Sequence, residues 1–372
     1  MKPDTLVFCV SGHGFGHASR VIEVINAIRR QDPRTPVIVR TAAARWLFDL
    51  TLTSPVEFHQ LACDPGVVQI DSLRLDAAET IRHAAAFYDD FPARVARETA
   101  FLRQVRARAV IADIPPLGLA AAAAAGIPAI AFGNFTWDWI YRAYEEELRG
   151  APILIPTIEQ AYSATSRALR LPMWGGFGAM DPAVVVDVPL VARRATRSRD
   201  ATRAALGLPN ERRVVLLSFG GYGLRHLELD ALDLPGYAVV TTGECGIRRA
   251  AAPAGTPVST IDEHALYGSG FRYEDLVAAC DVVVSKPGYG IIAECAANRT
   301  ALLYTSRGLF AEYDVLVDAL PRMIRSRFIP QEDLFAGRWL PHLEALLAQP
   351  SPLPPATDGA DVAAGVILSL SQ

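Results

Sequence analysis

Two histidines stand four positions apart in Gly12-His13-Gly14-Phe15-Gly16-His17, between an apolar run at residues 6–10 and a helix-period run through Val21, Ile22, Val24, Ile25 and Ile28. An imidazole titrates near neutrality, so a histidine on a strand-to-helix loop beside a cleft is placed to act as a general base. His17 is the first candidate and His13 the second. A structural turn carrying incidental imidazoles is the alternative. Glycines there let the backbone turn tightly and approach a ligand, and the helix start that follows favours an anion. The dinucleotide pattern G-x-G-x-x-G is not met. Asp113 directly follows the apolar run 110–112. A carboxylate there can hold one imidazole nitrogen and stabilise the imidazolium that proton abstraction creates. It can equally cap a helix, and spacing leaves both readings open.

A second set of residues suits an anionic ligand. Ser285-Lys286-Pro287-Gly288-Tyr289-Gly290-Ile291-Ile292-Ala293-Glu294 puts glycines at a helix start and Glu294 one turn in. Amides at such a start can hold a diphosphate, and a carboxylate one turn later can reach two vicinal ribose hydroxyls. A helix-dipole or capping-box acid is the plainer account of Glu294. The adjacent glycines and Lys286, which with Lys2 makes up all the lysine of the chain, favour the ligand. Ser218-Phe219-Gly220-Gly221-Tyr222-Gly223 forms a second glycine loop, with Arg225 beyond it as a further counter-charge. Asn134-Phe135-Thr136-Trp137-Asp138-Trp139 is dense in aromatics, which line sugar pockets and also fill cores. The sequence has no Walker A pattern, so an ATPase is disfavoured. No His, Cys, Asp or Glu cluster has metal-ligand spacing, and the Asp89-Asp90 pair has no supporting partner.

The elements that must position these residues repeat a strand-glycine-helix unit. Apolar runs at 6–10, 37–41, 110–112 and 129–132 read as strands, with an alanine-rich helix closed by Gly126 between the last two. The pattern restarts near residue 212, with strands at 214–217, 237–241, 281–285 and 301–304 and a helix at 291–297. Strands alternating with helices imply parallel sheets covered on both faces. A chain of 372 residues suits two such domains, at residues 1–190 and 191–350. The arginine-rich stretch 193–213 suits a connector, and a break at 350–355 precedes a last helix at 360–370 within a segment 351–372. Open α/β domains bind ligands beyond the carboxyl ends of their strands. Every candidate named above lies at such an end, so facing domains would put the site in the cleft between them.

Composition narrows the partners. The chain is 51% hydrophobic and 20% charged, which excludes wholesale disorder. A net charge of -4 argues against a nucleic-acid partner. Cys9, Cys63, Cys245, Cys280 and Cys295 are odd in number and form no C-x-x-C pair, which fits reduced cytoplasmic thiols, with Cys280 and Cys295 in the core. Residues 6–10 are too short an apolar run for a signal peptide, and no stretch reaches the roughly 20 apolar residues of a membrane helix.

Val10-Ser11-Gly12-His13-Gly14-Phe15-Gly16-His17-Ala18-Ser19-Arg20 resembles the opening of the amino-terminal, glycosyltransferase-like half of L-arabinokinases. The likeness continues through Ala112-Asp113, Gly133-Asn134-Phe135-Thr136-Trp137-Asp138-Trp139-Ile140-Tyr141 and Asp187-Val188-Pro189-Leu190-Val191. It then runs through Phe219-Gly220-Gly221, the loop from Lys286 to Glu294, Phe310-Ala311-Glu312 and Gly337-Arg338-Trp339 to Gly359-Ala360-Asp361-Val362-Ala363-Ala364. More distantly, both halves are similar to the MurG and UDP-glycosyltransferase families. The serine-rich ATP loop of the arabinokinase kinase domain is absent, so kinase activity is not carried over. The plant-type His-Cys-Gly-Trp donor signature is absent as well.

The resemblance implies a GT-B fold: two facing Rossmann-like domains, a central cleft and a final helix crossing back to the first domain. It implies an inverting, metal-independent glycosyltransferase with no cofactor beyond a nucleotide-sugar co-substrate, for which UDP is the first choice. His17 matches the base, Asp113 the aspartate that orients it, Glu294 the ribose-binding glutamate, and Glu312 a contact to the donor-sugar hydroxyls. The donor side then comprises Gly220, Gly221, Arg225, Lys286, Gly288, Tyr289, Gly290, Glu294 and Glu312. Gly14, Phe15, Asn134, Trp137 and Asp138 face an acceptor hydroxyl or amine, on a small molecule or a lipid-linked one. A sugar-nucleotide 2-epimerase of the same fold, and a non-catalytic nucleotide-sugar-binding module, are the competing functions.

Overall fold

Strand β1 (Thr5–Val10) is buried at every residue, because helices cover both faces of its sheet. Its Val7 and Cys9 enter one hydrophobic core while Leu6, Phe8 and Val10 enter the other, the period-two alternation of a strand. The computed structural model describes residues 5–220, 227, 229, 232–242 and 255–370. The first sheet continues with β2 (Val37–Thr41), β3 (Glu57–Gln60), β4 (Ala107–Asp113), β5 (Ala129–Phe135), β6 (Arg167–Gly175) and β7 (Val185–Asp187). The second contains β8 (Arg213–Leu217), β9 (Tyr237–Thr242), β10 (Val258–Ile261), β11 (Val282–Ser285), β12 (Ala301–Tyr304) and β13 (Ser326–Phe328).

The strand order is β3-β2-β1-β4-β5-β6-β7 in the first sheet and β10-β9-β8-β11-β12-β13 in the second. All pairings within both sheets are parallel. The protein is thus two parallel α/β domains. In each sheet the order reverses once, between β1 and β4 and between β8 and β11. Connections leave such a point in opposite directions, which opens a crevice at the carboxyl ends of the strands. The loop after β1 carries His13 and His17, Asp113 ends β4, and the loop after β11 carries Lys286 to Gly290.

Helix α1 (Gly16–Gln31) follows β1 and buries Val21, Ile22, Val24, Ile25 and Ile28. The final helix, Gly359–Leu370, returns to the first domain and packs Ala360, Ala363, Ala364 and Ile367 into the same core. Arg30 donates to Asp361 Oδ1 at 2.8 Å and Gln31 Nε2 to Asp361 O at 3.0 Å. Gly359 is needed where this helix begins: a Cβ there would lie 2.1 Å from Pro189 O. The alanine-rich helix is Pro116–Ala125, and Gly126 ends it with φ 73°.

The stretch at 193–213, expected as a connector, is folded into the second domain instead. It contains the helix Arg199–Leu206, and Arg203 is 3% exposed. The Arg203 guanidinium donates to Ala279 O, Pro209 O, Arg212 O and Asp281, so its charge is fully used at the foot of β8 and β11. Among the described residues no helix is long and apolar enough to cross a membrane.

Candidate active site

A cleft of about 300 Å³ lies between the carboxyl ends of the two sheets, lined from both domains. The two glycine loops nearly touch across it: a Cβ on Gly290 would lie 3.8 Å from Gly16 Cα. His17 enters the cleft from the first turn of α1. Its Nδ1 is 2.8 Å from Asp113 Oδ1, and Asp113 is fully buried. Arg20, one helical turn beyond His17 and so on the same face, closes on the same carboxylate. Its Nε donates to Asp113 Oδ2 at 2.5 Å and its Nη2 to Oδ1, while Nη1 donates to Asn134 Oδ1. Asn134 is held in turn by Pro172 O at 2.7 Å.

Burial alone would push the Asp113 carboxyl up, but the Arg20 charge and the hydrogen bonds from Arg20 and His17 hold it below its ordinary value. An ionised carboxylate only accepts hydrogen bonds, so the bond to Asp113 uses a hydrogen on His17 Nδ1, while Arg20 Nη2, itself only a donor, also lies 3.0 Å from that nitrogen. In the tautomer that the bond to Asp113 sets, Nε2 at the opposite ring edge carries a lone pair, and among the described residues it has no hydrogen-bond partner. This is the tautomer a general base requires.

His13 has a looser arrangement of the same kind. Its Nε2 is 3.6 Å from Asp64 Oδ1, and Asp64 accepts from Ser11 Oγ at 3.1 Å and Trp137 Nε1 at 2.9 Å. Burial lowers the His13 pKa and raises that of Asp64. Gly66 makes room for the ring: with φ 61°, its Cβ would lie 1.6 Å from His13 Nε2.

In the second domain Gly288 precedes the helix Tyr289–Asn298, whose first residues line the cleft. Glu294 is 6% exposed and bound to Arg193, which donates to Oε1 through Nε at 2.7 Å and through Nη2. Both bonds use the same oxygen. Oε2 has no partner among the described residues. Burial pushes the Glu294 carboxyl up despite the Arg193 charge. Glu312 pairs with Arg307 at 3.2 Å, and burial pushes the Lys286 ammonium down to about 7.

Of the expected site residues, His13, Gly14, Phe15, His17, Asn134 and Trp137 line the cleft from the first domain. Gly220, Lys286, Gly288, Tyr289, Gly290, Glu294 and Glu312 line it from the second. Asp113 stands directly behind His17. Asp138 corrects the expectation: it is 5% exposed and is not part of the cleft wall. As the second residue of the helix Trp137–Arg142, it turns away from the face that Trp137 presents. Gly221 and Arg225 lie outside the described residues.

No family model matches the chain. Over 370 residues it is 29% identical to an L-arabinokinase of Arabidopsis thaliana, which aligns 97% of this chain with 34% of that protein. The chain therefore spans about a third of its curated relative's length. Among solved structures, the glycosyltransferase of kitacinnamycin is similar with a TM-score of 0.62, at 16% identity and 100% coverage of both chains. Glycosyltransferase VinC in complex with dTDP gives 0.58 at 15% identity, covering 99% of this chain and 95% of that one. Phytolacca americana UGT2, complexed with UDP-2-fluoroglucose and pterostilbene, gives 0.59 at 13% identity, covering 99% and 94%.

The fold is GT-B. The two facing sheets and the returning final helix expected of it are all present. Sequence reasoning missed Arg20 and Arg193 in the wall of this GT-B cleft, and Asp64 behind His13. Arg20 carried one usable signal, its three-residue spacing from His17 on a helix. Asp64 and Arg193 carried none, since their partners lie 73 and 101 positions away along the chain.

Proposed function

We propose that this chain is an inverting, metal-independent glycosyltransferase that uses a nucleotide-sugar donor. His17 Nε2 takes the proton from an acceptor hydroxyl or amine as that atom bonds to the anomeric carbon. The bond from the anomeric carbon to the diphosphate oxygen breaks, and the nucleoside diphosphate leaves with the electron pair. Asp113 keeps the Nδ1 hydrogen in place and stabilises the imidazolium. The leaving diphosphate meets the amides that start the helix Tyr289–Asn298, in a site where fixed donors act with little reorganisation. Glu294 Oε2 is free to take the ribose hydroxyls while Arg193 occupies Oε1. A pyrimidine base, with uridine as first choice, agrees with the UDP and dTDP ligands of the two structurally similar glycosyltransferases.

The observation that carries this reading is the 2.8 Å His17–Asp113 pair standing opposite an amide-rich helix start across one cleft. Incubation with a panel of nucleotide sugars, with and without candidate acceptors, tests it. Acceptor-dependent release of the nucleotide supports transfer. Isomerisation of the donor instead assigns a 2-epimerase, and tight binding without turnover assigns a binding module.

A further inference from the structure

We propose that the corner of the cleft formed by Lys286, Arg307, Tyr144 and Tyr289 receives a carboxylate on the donor sugar, so that the donor is a nucleoside-diphospho-uronic acid. This rests on the donor-site reading above and names its substrate class.

Arg307 is fixed from three directions. Its Nε donates to Ser72 O at 3.2 Å, its Nη1 to Glu312 Oε1 at 3.2 Å, and its guanidinium lies 3.4 Å from the Phe310 ring centre. Nη2 has no acceptor among the described residues. Lys286, Tyr144 and Tyr289 line the same cleft as Arg307, and Lys286 feels the charges of both Arg307 and Glu312. Among the described residues Lys286 has neither a hydrogen bond nor an ion pair. The hydroxyls of Tyr144 and Tyr289 are buried without partners, and both sense Glu312 and Arg307. Two cations therefore face one carboxylate, and four groups able to donate have no acceptor.

Buried donors without acceptors are costly, and so is an uncompensated charge. A neutral hexose brings hydroxyls but leaves the extra positive charge in place. A sugar carboxylate supplies one negative charge and two acceptor oxygens that can take several donors at once. The amides at Gly288 to Gly290, which start a helix, are placed for the diphosphate, and Lys286 Nζ lies beside them, 4.0 Å from the position of a Cβ on Gly288. Burial and the Arg307 charge together hold the Lys286 ammonium down to about 7, so a bound anion would favour its charged form.

Calorimetric titration of the full chain with UDP, UDP-glucose, UDP-glucuronate and UDP-galacturonate tests the assignment. One uronate is expected to bind at least about tenfold more tightly than UDP-glucose, the size of one charge-assisted contact. Lys286→Met should erase most of that advantage, lowering uronate affinity by a clearly larger factor than UDP affinity. Tyr144→Phe, which keeps the ring and its packing, should erase part of it. Equal or better binding of UDP-glucose in the wild type overturns the proposal. So does an equal loss for UDP and uronate in Lys286→Met, which would assign Lys286 to the diphosphate. Failure of all four ligands to bind would overturn the donor-site reading itself, and this inference with it.

Discussion

Asp113 takes bonds from His17 and Arg20 at once, and Arg20 supplies the larger part of the charge that keeps it ionised. Asp113→Asn should keep the shape but lose the acceptor that fixes the His17 tautomer, and turnover should fall by roughly 100-fold or more. Unchanged turnover per folded molecule, with only a lower melting temperature, would reduce Asp113 to a structural group. Arg20→Met leaves a buried carboxylate without its cation and should cost about 3–5 kcal/mol at neutral pH. The sign with pH follows from the lowered Asp113 pKa. The stability due to this pair is present above the ordinary carboxylate pKa and is lost as pH falls through the lower folded value. The gap between wild type and Arg20→Met should therefore narrow below about pH 4, as denaturant titrations across pH will show. A gap that widens in acid would contradict the assignment. The His17–Asp113 pair was legible because Asp113 directly follows a strand-like run and His17 closes the glycine loop that follows another. Arg20 was not recognised as its partner, because the carboxylate it holds lies 93 positions away.

Elements were legible in proportion to their burial. β1, β4, β8 and β11 are central, covered on both faces, and read as unbroken apolar runs. The edge strands β3, β7, β10 and β13 are short and partly exposed, and their sequences EFHQ, VVD, VSTI and SRF carry little or no strand pattern. Tertiary pairing makes them strands. The loop after β3 also packs on a distant residue: at Gly66 a Cβ would meet the ring of His13. Gly66→Ala tests this directly. It combines an unfavourable positive φ with a Cβ that meets the imidazole, and should cost on the order of 1–3 kcal/mol in thermal or urea unfolding. If His17 is the base, the folded fraction should keep most of its turnover. Loss of turnover out of proportion to unfolding would move the base to His13.

At the scale of the molecule, the final helix completes the first domain's core from the far end of the chain, a contact that no local pattern announces. Ile367 is fully buried there, so Ile367→Ala should cost about 2–5 kcal/mol, measurable by urea unfolding. A cost near zero would mean that the helix is not part of that core in solution. The two domains also divide the proposed chemistry: His17 comes from the first, and the helix start, Glu294 and Glu312 come from the second. That division makes a sharp demand on one variant. His17→Ala, assayed beside the wild type for acceptor-dependent nucleotide release and for donor binding by calorimetry, should lose roughly 100- to 10,000-fold in turnover. Its affinity for the nucleotide sugar should stay nearly the same. Wild-type turnover in His17→Ala, or a loss of donor binding as large as the loss of turnover, would contradict a base that acts on the acceptor from the opposite side of the cleft.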